Sequence, residues 1–369
     1  MKVLIDNQIF EQQKFGGISR YFTKLESGND NIQRMEYYIP DNSNNSKPSE
    51  LIYKRIQRKL GRFFFNRPSN QSPIQNERNQ KEDFYISQIK NLQYDIFHPT
   101  YYDNYFLKHM KKPFVLTVYD MIHEKYAEYF ENSFDSINKR RLCEKADKII
   151  AISNSTKKDL IDIFEVPEEK IEVIYLATDY DSIAATKPIF DFQGMRYLLF
   201  TGNRYIYKNF FTFLIAVSSI LKQYKDLQLI CTGPNFNALE KKWIEDLGIN
   251  DKVKSHFCEN DSELVYLYQH AECFIFPSLY EGFGFPLLEA FASNCPVISS
   301  NGGSLPEIAD NAAVYFNPKD IREMRQSILN VISDLSLKKE LVEAGKLRLK
   351  DFSWDKCRIE TNLLYSKLV

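Results

Sequence analysis

Apolar residues along this chain gather in short runs, and each run gives way to a longer stretch in which apolar positions recur every three or four residues. The short runs have the length of buried strands, and the longer stretches have the period of helices packed by one face. In the first half the pattern predicts strands at Val3–Asp6, Asp95–Phe97, Phe114–Val118, Lys148–Ile152 and Glu172–Leu176. Helices fit between them, such as Ser136–Ala146 and Thr156–Phe164, with Ser153 and Ser155 as candidate N-caps of the latter. The second half restarts with strands at Tyr197–Thr201, Leu227–Cys231, Lys254–Phe257, Cys273–Phe276 and Val297–Ser299, and the chain closes on a helix, Trp354–Leu368. Strand followed by helix almost throughout predicts an α/β fold of parallel sheets covered by helices on both faces. With 369 residues the chain fills two such cores. The polar stretch Asp179–Gln193, which holds Pro188, reads as the linker between them.

One stretch breaks the alternation. Pro40–Gln80 is rich in Asn, Ser, Gln and Pro at both ends. Between them Leu51, Ile52, Ile56, Leu60 and Phe63 recur at helical spacing, and Lys54, Arg55, Arg58, Lys59 and Arg62 fill the other face. This is a basic amphipathic helix, suited either to packing on its own domain or, over residues 51–65, to an anionic membrane surface.

The formal net charge of −1 argues against a general nucleic-acid binder, which needs a basic excess to neutralise phosphates. Six cysteines are scattered without CxxC spacing and read as reduced thiols of a cytosolic protein. The opening segment MKVLIDNQIF carries Asp6 within its apolar part and reads as a first strand, not a signal peptide. No apolar run approaches the roughly 20 residues of a membrane span.

Three strand-end segments carry candidate chemistry. The first is Pro277–Ala290, PSLYEGFGFPLLEA. Gly282 and Gly284 allow a sharp turn and close approach, and Pro286 suits a first helical turn. The free N–H groups and dipole of that helix start suit a diphosphate. Glu281 in the loop and Glu289 one turn into the helix are two acceptor-only groups at different depths, which suit hydroxyls of a sugar and a ribose. They do not suit the paired carboxylates of a glycosidase, which flank one bond from opposite sides. The second segment, Thr201–Asn209, sets Arg204 and Lys208 beside a helix start, where an anion between them offsets the unfavourable dipole. The third, Lys14–Ile18, holds the glycine pair Gly16 and Gly17 but not a dinucleotide fingerprint.

Together these residues resemble glycosyltransferase family 4, the group 1 family with the GT-B fold, including its mannosyltransferase-like members. EGFGFPLLEA matches the E-x7-E signature, GNRYIYKN the Arg/Lys diphosphate site, and the loop Asn301–Glu307 the segment that approaches the diphosphate. AISNSTKKDL and VIYLATD resemble the end of the family's first domain, and FSWDKC the start of its returning final helix. The resemblance implies two Rossmann-like domains facing across a cleft. Residues 1–185 would form the acceptor-side domain, 186–350 the nucleotide-sugar domain, and 351–369 a helix returning to the first.

It further implies a retaining, metal-independent sugar transferase without a cofactor, acting from a GDP- or UDP-linked donor on a saccharide or lipid-linked acceptor in surface polysaccharide synthesis. Glu289 then holds the ribose hydroxyls and Glu281 the transferred sugar, while Arg204 and Lys208 stabilise the diphosphate. Phe257 and Cys258 lie at the base. Asn203, Gly282, Phe283, Gly284, Phe285 and Ser304 belong to the donor loops, and Gly16 and Gly17 face donor and acceptor. Asp120 keeps its family place after the Phe114–Val118 strand. Tyr119 stands where many relatives have histidine, and His123 is the candidate substitute. The alternatives are a nucleotide-sugar epimerase of the same architecture and a non-catalytic nucleotide-sugar-binding protein. An enzyme of this kind closes its two domains over the donor.

Overall fold

The hydrophobic runs form parallel strands throughout the computed structural model, which describes residues 1–13, 16–39, 73–130, 133–188 and 194–369. The amphipathic segment at 51–65 lies outside these residues, as does 189–193 of the linker. In the first half, β1 (Val3–Ile5) pairs on one side with β2 (Ile32–Arg34) and on the other with β3 (Ile96–His98). A second three-stranded sheet contains β4 (Val115–Val118), β5 (Lys148–Ala151) and β6 (Ile171–Val173). A single bridge between Phe97 and Phe114 joins the two into the order β2-β1-β3-β4-β5-β6.

The second half has one six-stranded sheet built from β7 (Arg196–Phe200), β8 (Leu227–Thr232), β9 (Val253–His256), β10 (Cys273–Phe276), β11 (Val297–Ser300) and β12 (Ala313–Phe316). Its order is β12-β11-β10-β7-β8-β9. The order reverses between β7 and β10, and such a reversal leaves a crevice above the carboxyl ends of those two strands. The candidate loops Thr201–Asn209 and Pro277–Gly284 follow β7 and β10 respectively.

Two strands have no counterpart among those predicted, β2 and β12. Each lies at a sheet edge and is covered incompletely; β2 is broken by Gln33 and Arg34, whereas β12 is a short apolar run, Ala313–Phe316, that the reading of the pattern missed. Ser153 caps the helix Asn154–Phe164 by accepting from Thr156 N at 3.0 Å, whereas Ser155 is within its first turn. The linker is anchored at its start, because Tyr180 is buried and its hydroxyl donates to Asp261 at 3.0 Å. No helix among the described residues is long and apolar enough to cross a membrane.

One apolar core fills the first half and continues across the cleft side of the second, through Phe283, Leu287 and Phe291, to Phe352 and Trp354. A separate core lies on the far face of the second sheet, around Phe200, Phe213 and Ile328. The terminal helix Trp354–Ser366 packs against Gly17–Glu26 of the first half. Its Tyr365 hydroxyl lies 2.6 Å from Nδ1 of His98, whose Nε2 lies 2.8 Å from Thr117 Oγ1. Thr117 in turn meets the Tyr21 hydroxyl at 3.2 Å. All four residues are buried, so every member of this network needs its partner.

Burial pushes the His98 imidazole down to about 3 from an ordinary 6.5. The unfolded chain therefore binds the proton first, and this histidine's contribution to stability is full above pH 6.5 and falls as the pH drops below it. By pH 5 the loss is about 2 kcal/mol. Chemical denaturation at pH 7 and pH 5 should show His98→Gln less stable than the parent at pH 7 but with a smaller loss on acidification. An identical acid-dependent loss in the two chains would refute it.

Candidate functional site

The loop after β10 is shaped by what it touches in the other half. A Cβ built on Gly282 would sit 1.8 Å from the Tyr119 carbonyl oxygen and 2.8 Å from the Asp120 Cβ. The glycine's close approach is thus to backbone across the cleft. The Gly282 carbonyl accepts from Ser153 Oγ at 2.7 Å. Gly17 is constrained in the same way, since a Cβ there would meet the Phe285 ring at 2.7 Å. From the side, Ser304 is wholly buried and its N–H donates to the Glu281 carbonyl at 3.1 Å. Its hydroxyl lies 3.0 and 2.9 Å from the carbonyls of Glu281 and Phe283. Ser304 therefore fixes the loop backbone.

Two cavities flank this contact. The larger, of 850 Å³, is lined from the first half by Gly16 and Arg20 and from the second by Phe257, Cys258, Asp261 and Glu289. The smaller, of 310 Å³, brings together Gly17, Tyr119 and Asp120 with Lys208, Glu281 and Phe285. Gly282, Phe283 and Gly284 complete its wall. Pro286, at the start of the helix Phe285–Ala292, borders both, and the Gly16–Gly17 turn separates them.

The charges are paired rather than free. Lys208 Nζ lies 2.6 Å from Glu281 Oε1. Arg204 points away from that pair: its Nε donates to Glu240 at 2.9 Å and Nη2 to the carbonyls of Pro234 and Asn235. Its side chain is 4% exposed, and Nη1 is buried with no partner among the described residues. That nitrogen lies close to Gly233, which lines the larger cavity. Glu289 accepts from Tyr268 at 3.3 Å, and Arg20 of the first half comes within 3.6 Å of it. Burial raises the Glu289 carboxyl to about 7, against the opposing pull of the Arg20 charge. Arg20 also binds Asp261 at 2.7 Å and lies over the Tyr180 ring.

Other candidates are arranged differently. Asn203 is exposed, and Phe257 is exposed at the rim of the larger cavity. Tyr119 is buried, with its hydroxyl donating to the Thr100 carbonyl at 3.2 Å. His123 lines neither cavity. Its Nδ1 meets Ser133 Oγ at 2.8 Å and its ring lies against Phe130. His256, Cys258 and Glu263 bring ligand atoms within 4.8 Å of one another. Within that group His256 Nε2 lies 3.3 Å from Glu263 Oε2. Glu263 already accepts from Glu259 N at 3.2 Å.

The sequence reading passed over Arg20, and it held Glu307 only as the end of the Asn301–Glu307 loop. Arg20 is one cation on an ordinary amphipathic helix, and its only signal is a position three residues after Gly17. Glu307 accepts from the N–H groups of Asn154 and Ser155 at 2.6 and 2.9 Å, so it caps a helix of the opposite half.

The family model described as "Glycosyl transferases group 1" matches residues 185–348, and that for "Glycosyltransferase Family 4" matches 45–182. The O-antigen chain mannosyltransferase B of Escherichia coli is 28% identical over 287 residues, which is 72% of this chain and 73% of that one. The O-antigen chain mannosyltransferase RfbU of Salmonella typhimurium is 28% identical over 215 residues, 57% of this chain and 59% of that one. Among solved structures, Anabaena HepE in complex with UDP-glucose superposes with a TM-score of 0.74 at 15% identity, covering all of both chains. That likeness establishes the GT-B fold.

Close contact at Gly282 makes the juxtaposition of the halves sensitive to one methyl group. A side chain there collides with a backbone carbonyl that has little room to yield. Gly282→Ala should cost about 1–3 kcal/mol in denaturant unfolding and raise the radius of gyration in small-angle scattering. An unchanged midpoint together with an unchanged scattering profile would contradict it.

Proposed function

The chain belongs to the family 4 glycosyltransferases of the group 1 type, and from that premise we propose that it transfers a hexose, mannose-like in type, with retention at the anomeric carbon. The donor is a GDP- or UDP-linked sugar, and the acceptor is a saccharide or lipid-linked saccharide of surface polysaccharide synthesis. The work is done in the cytoplasm, at the inner face of the membrane.

The observation that carries this reading is the pair of adjoining cavities divided by the Gly16–Gly17 turn. The larger takes the nucleoside, with the base beside Phe257 and Cys258 and the ribose hydroxyls on Glu289. The smaller takes the sugar, between Glu281 and Asp120. The diphosphate bridges them at the start of the helix Phe285–Ala292, whose dipole favours an anion and which no side chain caps. Lys208 and the unpartnered Nη1 of Arg204 neutralise the charge that develops on the leaving group. Fixed cations of this kind do the work that a metal does elsewhere. Lys139 supports the sugar side: its buried ammonium donates to the Asp120 carbonyl and to Glu124, each at 2.9 Å.

The division of labour between residues 1–185, 186–350 and 351–369 is part of the same proposal. It is supported by the confinement of the sheets to strands before Val173 and after Arg196, and by the packing of the terminal helix on the first half.

Thermal shift against a panel of GDP- and UDP-sugars selects the donor, because a specific ligand stabilises the fold that binds it. Calorimetric titration with the matching nucleoside diphosphate then measures the cations. Lys208→Ala and Arg204→Ala should each weaken binding by about 1.5–3 kcal/mol. Unaltered affinity in both variants defeats the assignment. Donor hydrolysis and sugar transfer should also persist in excess EDTA. Activity abolished by EDTA and restored by manganese or magnesium would overturn metal independence.

A further inference from the structure

Away from the cleft, cations are concentrated in a way the overall charge does not suggest. The chain has a net charge of −1, yet Lys108, Lys111, Lys112, Arg141 and Lys145 border one cavity of 590 Å³. All five are exposed, and none forms an ion pair among the described residues. Two acids stand nearby. Asp147 lines the same cavity and accepts from Phe114 N at 2.9 Å, and Glu144 is exposed on the same helix as Arg141. The floor is apolar, from Leu107, Met110 and Phe114.

The helix Phe134–Lys145 extends this surface. Its buried side is Asn138, Lys139, Leu142 and Cys143. Its outer side carries Phe134, Ile137, Arg141 and Lys145 at intervals of three and four, which makes one stripe. Phe134 and Ile137 are 57% and 64% exposed. Large apolar side chains in water next to unpaired cations are the composition of an interfacial helix. The stripe also leads to the cleft. Just before it Tyr129 is 45% exposed, and the Phe130 ring lies 6.4 Å from that of Tyr207, which lines the smaller cavity.

We propose that the face formed by the helix Phe134–Lys145 and the loop Leu107–Lys112 docks on an anionic lipid bilayer, with Phe134 and Ile137 in the interface and the five cations on lipid phosphates. Charge complementarity selects this occupant: an apolar partner covers Phe134 and Ile137 but leaves the cations unmatched, and a soluble anion matches the cations but leaves the apolar residues in water. Docking here turns the acceptor mouth of the cleft toward the bilayer. That use rests on the proposed transfer to a lipid-linked acceptor, while the docking itself requires no substrate. The surface is separate from the amphipathic segment at 51–65.

The test is co-sedimentation with phosphatidylcholine vesicles that contain or lack phosphatidylglycerol, at low and high salt, with donor hydrolysis measured in parallel. Each cation near an anionic surface strengthens partitioning about fivefold. The triple change Lys111→Glu, Lys112→Glu and Arg141→Glu should therefore lower partitioning by on the order of 100-fold or more. Phe134→Ser with Ile137→Ser should remove the part of binding that resists salt. Donor hydrolysis and the melting temperature should stay at parental levels in both, because every changed side chain is exposed and outside the two cleft cavities. Four outcomes overturn the proposal: no pelleting of the parent with anionic vesicles at low salt; equal pelleting of parent and triple variant; loss of binding only when Arg55, Arg58 and Lys59 are changed to Glu; or a parental dimer that Phe134→Ser with Ile137→Ser dissociates without changing vesicle binding. Loss of donor hydrolysis in the parent, with vesicle binding intact, would count against the transferase reading alone.

Discussion

The arrangement of the site depends on one contact without slack, the seating of the Gly282 backbone against the Tyr119 carbonyl. The residue before it carries Glu281 and the residues after it open the helix that carries Glu289, so both carboxylates are indexed to the first half through this point. Hydrogen bonds hold it from two sides. Ser153 reaches the Gly282 carbonyl from the first half, and Ser304 holds the carbonyls of Glu281 and Phe283 from the second. These bonds exchange for bonds to water at small net cost, so they act as locators more than as glue. What they locate is a boundary. On one side of the Gly16–Gly17 turn lies a nucleoside-sized cavity, and on the other a smaller one with a cation and two carboxylates.

Charge balance follows from that geometry. Burying an ion costs several kcal/mol unless a partner compensates it, and around the cleft the partners come from different segments. Lys208 of the loop after β7 meets Glu281 of the loop after β10. Arg20 of the first half meets Asp261 and Glu289 of the second. Lys125 meets Asp159, whose other oxygen accepts from Tyr280 at 2.5 Å. The exception at the cleft is Nη1 of Arg204, a buried donor without a partner among the described residues, and an orphaned cationic donor beside a cavity calls for an anion.

Much of this was legible in the sequence, and the rest was hidden for identifiable reasons. Strands buried on both faces announced themselves as continuous apolar runs, while β2, an edge strand broken by Gln33 and Arg34, did not, and the four-residue run of β12 was too short to stand out. The loops after β7 and β10 were legible because glycine, proline and charge at a strand end have few other uses. Their proximity was not, since it comes from the strand reversal that sets β7 beside β10, pairing Leu198 with Cys273. A second role of Gly282 was not legible: besides lining the smaller cavity, it packs against the backbone of the other half. The partners of Arg20 and Glu307 were invisible for the same reason. A single charge on a helix reads as solvent-facing until the opposite half supplies Glu289, or a bare helix N-terminus, to meet it. His123, attractive by its distance from Asp120, turns to Ser133 and Phe130 instead.

Two kinds of contact join the halves, and they respond differently to separation. One kind is polar: Tyr126 to the Leu279 carbonyl, Tyr280 to Asp159, and Arg20 to Asp261. Near the two chain crossings the link is aromatic. Tyr175 of the first half, Phe283 of the second and Phe352 before the terminal helix lie with ring centroids 5.7 to 6.4 Å apart. Polar links exchange for bonds to water when parted, whereas parting three packed rings exposes apolar surface with nothing to offset it. Separation of the halves at the polar links therefore costs less than separation at the aromatic cluster. The Gly282 contact adjoins that cluster through the next residue, Phe283, so the costlier aromatic packing guards the contact that indexes Glu281 and Glu289 to the first half.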